Sequence, residues 1–99
     1  METKNQQQQN QLFSLDTLVG NWESINLNPT IIIYKSGDVY LLSIIHINEM
    51  SMQASPSTYE IQQDESGYFI NYNFKRTVVE YDAKLDTFIL ASFGEYIRN

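Results

Sequence analysis

Catalysis by side chains needs groups that can exchange protons, attack carbonyls or hold metals, and this sequence offers few. His46 is the only histidine, and the chain has no cysteine. A lone histidine without a second histidine or a thiolate at ligand spacing does not make a zinc site. Serines are plentiful, but no G-x-S-x-G turn raises one of them as a nucleophile. The carboxylates Glu23, Glu60, Asp64, Glu65, Glu80, Asp82 and Asp86 fall in turns or alternate outward along extended segments. "DESG" at 64–67 reads as a turn, because no D-x-D-x-D-G calcium loop is present. Glycoside hydrolysis needs two carboxyl groups about 5–9 Å apart across a cleft, and no pattern here calls for a cleft. The expectation is a non-catalytic protein with no metal and no cofactor.

The remaining candidates are binding residues. Seven tyrosines, Tyr34, Tyr40, Tyr59, Tyr68, Tyr72, Tyr81 and Tyr96, could line a pocket or a partner surface. Tyrosine is also amphipathic and favours strands, so half-buried sheet positions account for them more simply. Met50 and Met52 bracket a polar loop and would suit an adaptable contact. Lys75-Arg76 beside Phe74 is too small for a nucleic-acid platform. The formal net charge of −6 and the scatter of Lys4, Lys35, Lys75, Arg76, Lys84 and Arg98 argue against phosphate backbones as partners.

What positions these residues is one domain of 99 residues, large enough for one modest core. Without cysteine, stability must come from packing and sheet hydrogen bonds. No run approaches the roughly 20 apolar residues of a membrane span. The opening "METKNQQQQNQ" has no apolar h-region, so a cytoplasmic location is expected for the sequence as given. Residues 1–11, rich in Gln and Asn, have nothing apolar to bury and read as a disordered tail; 12–99 read as the folded domain.

Leu12, Leu15, Leu18 and Val19 recur at near-helical spacing, with Ser14 as N-cap and Gly20 just past the end, so a short helix is predicted. Beyond Gly20 the chain breaks into short runs of Val, Ile, Thr, Tyr and Phe separated by turn residues. Strands are predicted at 21–26, 30–35, 39–48, 57–63, 68–74, 77–81, 87–91 and 95–98. Short connections make successive strands antiparallel neighbours. A meander of seven to eight such strands escapes exposed edges by curling into a barrel or folding into a sandwich, and strands this short suit a squat barrel. Residues 68–81 read either as one bent strand or as two, with "KR" at 75–76 the weakest break.

In 68–74, Tyr68, Ile70, Tyr72 and Phe74 share one face. The hairpin 31–47 is apolar on both faces: Val39, Leu41, Ile45 and Ile47 on one, Tyr40, Leu42 and Ile44 on the other. Its outer face must therefore be covered, either by the 12–19 helix or by a second copy of the protein.

Gly20-Asn21-Trp22 is a G-x-W tripeptide placed after a helical turn and before the first strand of a meander. It resembles the signature of the lipocalins and their calycin relatives. The resemblance implies that Trp22, the only tryptophan, closes one end of the barrel. It also implies that Arg98, in the closing "GEYIRN", packs across its ring, so that Gly20, Trp22 and Arg98 serve closure rather than binding. The longer strings "GNWESINLNPTIIIYKSGDVYLL" and "FGEYIRN" resemble short uncharacterised proteins of gut anaerobic bacteria, often encoded on conjugative elements. That resemblance implies a small lipocalin-like all-β domain and no activity.

The expected fold is thus all-β, a small antiparallel up-and-down meander barrel with a short N-terminal helix. Two functions follow as expectations. One is a protein-interaction or self-association module, a homodimer through the 31–47 hairpin. The alternative is a binder of a small apolar ligand in or at the mouth of the barrel, lined by Ile33, Tyr40, Leu42, Tyr72 and Phe88.

Overall fold

The computed structural model describes residues 13–99; the Gln/Asn-rich tail expected at 1–11 lies outside the described residues. One short helix, α1 (Leu15–Leu18), precedes nine strands. They are β1 (Gly20–Ser24), β2 (Thr30–Ser36), β3 (Val39–Asn48), β4 (Gln53–Glu60), β5 (Gln62–Asp64), β6 (Gly67–Tyr72), β7 (Lys75–Asp82), β8 (Thr87–Leu90) and β9 (Gly94–Arg98). All pair antiparallel in the order β4-β3-β2-β1-β9-β8-β7-β6-β5. Pairing of the first strand with the last bends this meander into a nearly closed barrel.

β4 and β5 end the order on opposite sides, yet only Ile61 separates them in the chain. They act as one long strand that changes partner. Ile61 donates its N–H to the Tyr40 carbonyl at 2.8 Å, which extends the β3–β4 ladder by one step, and is itself buried. The chain then pairs with β6 instead. The single strand predicted at 57–63 is therefore two segments. Where the ladder is interrupted, β4 and β6 are bridged by side chains: Tyr59 and Tyr72 meet edge to face with centroids 5.5 Å apart.

The ambiguity over 68–81 resolves into two strands, and the break is not at Lys75-Arg76. Tyr72 pairs with Lys75, leaving Asn73 and Phe74 as a two-residue turn with φ of 51° and 66°. Two successive left-handed residues define the tight turn whose twist matches that of the strands it joins. Phe74 consequently leaves the strand face shared by Tyr68, Ile70 and Tyr72 and projects into solvent. The strand predicted from Ser57 starts instead at Gln53, and Pro56 is tolerated because β4 is an edge strand.

Alternation fills the barrel. Ile31, Ile33, Leu42, Ile44, Ile70, Val79, Phe88, Leu90 and Tyr96 point inward and are buried. Burying a side chain of this kind contributes about 1.5–3 kcal/mol. The parity along β3 sends Tyr40, Leu42 and Ile44 inward and leaves Val39, Leu41, Ile45 and Ile47 on the outside. Helix α1 does not cover that outside. Ser14 caps it by accepting from the Asp16 N–H, and Phe13, Leu15 and Leu18 pack onto the end of the core. The helix is a plug, so one of the two covers expected for the hairpin is spent elsewhere.

Candidate functional site

The meander places its connections at two ends. The lower end holds α1 and the turns after β2, β5 and β7; the upper end holds those after β1, β3, β6 and β8.

At the lower end Trp22 is fully buried, and its indole N–H donates to the Leu18 carbonyl at 2.7 Å. The Arg98 guanidinium lies 4.2 Å from the centre of the indole ring. It donates through Nη2 to the Thr17 carbonyl at 2.8 Å and through Nη1 to the Val19 carbonyl at 3.2 Å. It also grips the Asp86 carboxylate with two bonds, 2.9 Å from Nε and 3.0 Å from Nη2. Arg98 thus ties β9 to α1, to the turn before β8 and to the first strand's tryptophan. The geometry strains any side chain at Gly20. Its φ is +143°, and a Cβ there would sit 3.2 Å from Arg98 Nη1.

The electrostatics of this end are those of a clamp. Hydrogen bonding from Arg98, reinforced by the Tyr81 hydroxyl at 2.7 Å, holds the Asp86 carboxyl down to about 2. The same contacts push the Tyr81 hydroxyl and the Arg98 guanidinium up. Tyr40 is raised by its hydrogen bond to the Asp16 carboxylate. Every group is driven further into the charge state it already has at neutral pH, which suits structure and not proton transfer.

The five candidate ligand-lining residues share the interior. Ile33, Leu42 and Phe88 are fully buried core residues, and Phe88 packs between Trp22 and Tyr96 with centroids 5.5 and 5.6 Å away. Tyr40 and Tyr72 are half-buried at opposite ends of that core: Tyr40 bonds Asp16 on α1, and Tyr72 meets Phe93 edge to face at 5.2 Å. Burial alone pushes the Tyr96 hydroxyl up to about 12, and it donates to the Pro29 carbonyl at 2.8 Å. Among the described residues, no buried side-chain polar atom is without a partner, and no group of three or more His, Asp or Glu side chains could hold a metal. No helix among them is long and apolar enough to cross a membrane.

Open concavity lies outside the core. A groove of about 300 Å³ runs between the β1–β2 connection and the end of β3, lined by Leu27, Asn28, Pro29, Thr30, Ile45, His46 and Ile47. The single histidine is thus a half-buried groove residue beside apolar neighbours.

The outer face of β2 and β3 is the other feature: Tyr34, Val39 and Ile47 are exposed, Ile32, Leu41 and Ile45 half-buried, and Ser43 buried between them. Tyr34 stands opposite Leu41, Ile32 opposite Ser43, Thr30 opposite Ile45 and Ser36 opposite Val39. None of these outward residues, nor Ile47 beyond them, is charged. On the β4 side, Ile45 faces Pro56 and Ile47 faces Ala54, the Ser43 and Thr58 hydroxyls bond each other at 2.8 Å, and the exposed Glu60 stands beside Leu41 at the lower edge of the face. Sequence reasoning named the hairpin but could not decide which of its two apolar faces looks outward; full burial of Leu42 and Ile44 in the core decides it.

No curated protein and no solved structure matches the chain. Residues 4–98 match the family described as "Domain of unknown function, B. Theta Gene description (DUF3876)", and the chain belongs to that family.

Proposed function

We propose that this barrel is a non-catalytic interaction module that pairs with a second copy of itself through the outward face of β2 and β3. The observation that carries the reading is a stripe of Ile32, Tyr34, Val39, Leu41, Ile45 and Ile47 with no charge on β2 or β3 and Glu60 only at its lower edge, on a chain whose formal net charge is −6. Two such chains repel over most of their surface. They meet at least cost where neither carries charge, and burying Leu41 and Ile45 there removes apolar area from water. The helix that could have covered this face is seated at the barrel end, which leaves a partner as the cover. The interior favours pairing over the alternative of a small apolar ligand, because Ile33, Leu42 and Phe88 are already packed against other side chains. A meander tied shut through Trp22 and Arg98 supports a lipocalin-like reading of the barrel, used for closure and not for cargo.

Light scattering across a concentration series tests this. The protein runs as a dimer, and Leu41→Asp or Ile45→Asp gives a monomer that melts within a few degrees of the parent. A parent protein that is monomeric at the highest concentration overturns the proposal.

A further inference from the structure

Four side chains at the upper end stand well out in solvent: Leu27 is 99 % exposed, Met50 97 %, Met52 75 % and Phe74 fully. They lie on three separate turns, those after β1, β3 and β6. Three of them, Leu27, Met52 and Phe74, also hold left-handed backbone, with φ of 64°, 60° and 66°. Glycine or asparagine is the unstrained choice at such a position, and a bulky side chain there is an outlier. At the lower end the left-handed turn positions hold Gly37 and Asp86, at φ of 62° and 51°, and the exposed apolar turn residue there, Leu85 at 71 %, does not take left-handed backbone. The fold therefore holds three large apolar side chains in the conformation that costs most, at the positions where burial repays least within the monomer.

The turn bases are firmly held, so the tips do not fold back. The Asn28 side chain donates to the Phe93 carbonyl, Tyr96 donates to the Pro29 carbonyl, and Phe93 packs on Tyr72. Acidic groups are denser at the opposite end. Asp16, Asp38, Asp64, Glu65, Asp82 and Asp86 lie in α1 or beside the lower turns, together with Lys35, Lys84 and Arg98, whereas the upper turns and their flanks carry Glu23, Glu49, Glu95, Lys75 and Arg76.

We propose that the upper end is a lipid-docking surface that lays Leu27, Met50, Met52 and Phe74 into the interface of a bilayer, with the acidic end held away from the headgroup phosphates. Separate prongs on a rigid rim suit a fluid that closes around each one; an ordered protein surface would need a matched pit for every tip. The buried depth is that of an interfacial anchor and not of a span. This surface is distinct from the β2–β3 pairing face and does not rest on it.

Flotation with phosphatidylcholine vesicles is the test. The full chain floats with the vesicles. Leu27→Asn, Met52→Asn and Phe74→Asn combined lower the bound fraction at least about tenfold while the melting temperature holds or rises, since asparagine accepts left-handed backbone. A Phe74→Trp variant gives emission that moves to the blue on adding vesicles and is quenched by brominated acyl chains. Leu41→Asp still floats. The proposal is overturned if the parent protein does not float, if the triple variant floats equally well, or if the triple variant's only loss is a dimer seen without lipid.

Discussion

The two ends of the barrel solve the same problem in opposite ways. Each must terminate a sheet and seal a core. The lower end does so with satisfied polar groups: Trp22 N–H on Leu18, Arg98 on two carbonyls and Asp86, Tyr81 on the same carboxylate. Its left-handed positions hold Gly37 and Asp86, which tolerate that backbone. The upper end seals itself from within, by the Tyr59–Tyr72–Phe93 aromatic chain, and spends its turn positions on exposed Leu27, Met52 and Phe74. Left-handed backbone costs a bulky residue on the order of 1–2 kcal/mol. The lower end is built for stability. The upper end gives some up, and the proposed docking to lipid supplies a reason for that cost.

Substitutions at the two ends should separate these roles. Trp22→Ala has the largest expected effect, a loss of about 3–5 kcal/mol in urea unfolding, because it empties the closed end of its largest side chain. A loss below about 1 kcal/mol would remove Trp22 as the plug. Gly20→Ala follows at about 1–3 kcal/mol, since it combines a strained φ with a Cβ pressed on Arg98. If Arg98→Ala in the same background leaves that penalty unchanged, the close approach to the guanidinium is not its cause.

The Asp86 clamp gives a smaller, pH-dependent effect. The carboxyl is held at about 2 when folded against an ordinary 3.8. A depressed folded value means the contribution is fully present above the ordinary value and is lost as pH falls through the folded one. Asp86→Asn should therefore melt lower than the parent at pH 7, with the gap closing between about pH 4 and pH 2. A gap that stays constant over that window would assign the loss to packing. The smallest effect is at the opposite end. Phe74→Asn should leave the melting temperature unchanged or raise it slightly, by up to about 0.5 kcal/mol equivalent. A clear fall would mean that Phe74 packs on something within the monomer, and the contrast between the ends would fail.

Much of the fold is legible in the sequence because strands advertise themselves locally. The boundaries of β2 and β3 follow from "TIIIYKSGDVYLL", where Gly37 marks the turn and β-branched runs flank it. The misses are positions where local signals mislead. Phe74 continues an apolar alternation yet occupies a turn, because Asn73 before it begins the left-handed pair; the strand break looks as though it belongs at the charged Lys75-Arg76. Ile61 sits inside what reads as one strand, since nothing in a strand's composition records a change of partner. Leu42 and Leu41 are equally apolar, and only closure of the barrel sends one in and the other out.

The sequence by itself determined the elements: short antiparallel strands, a brief helix before them, one core without disulfides. Those properties depend on residues near one another in the chain, so spacing and turn chemistry suffice. The tertiary structure alone decided which surfaces are left over. The uncharged outside of β2 and β3, and the gathering of Leu27, Met52 and Phe74 from turns as much as 47 residues apart, exist only once the meander closes and its alternate turns fall at one end. That closure is a long-range event, set by the pairing of β1 with β9 and by Arg98 across Trp22, and no local pattern records where it brings distant turns together.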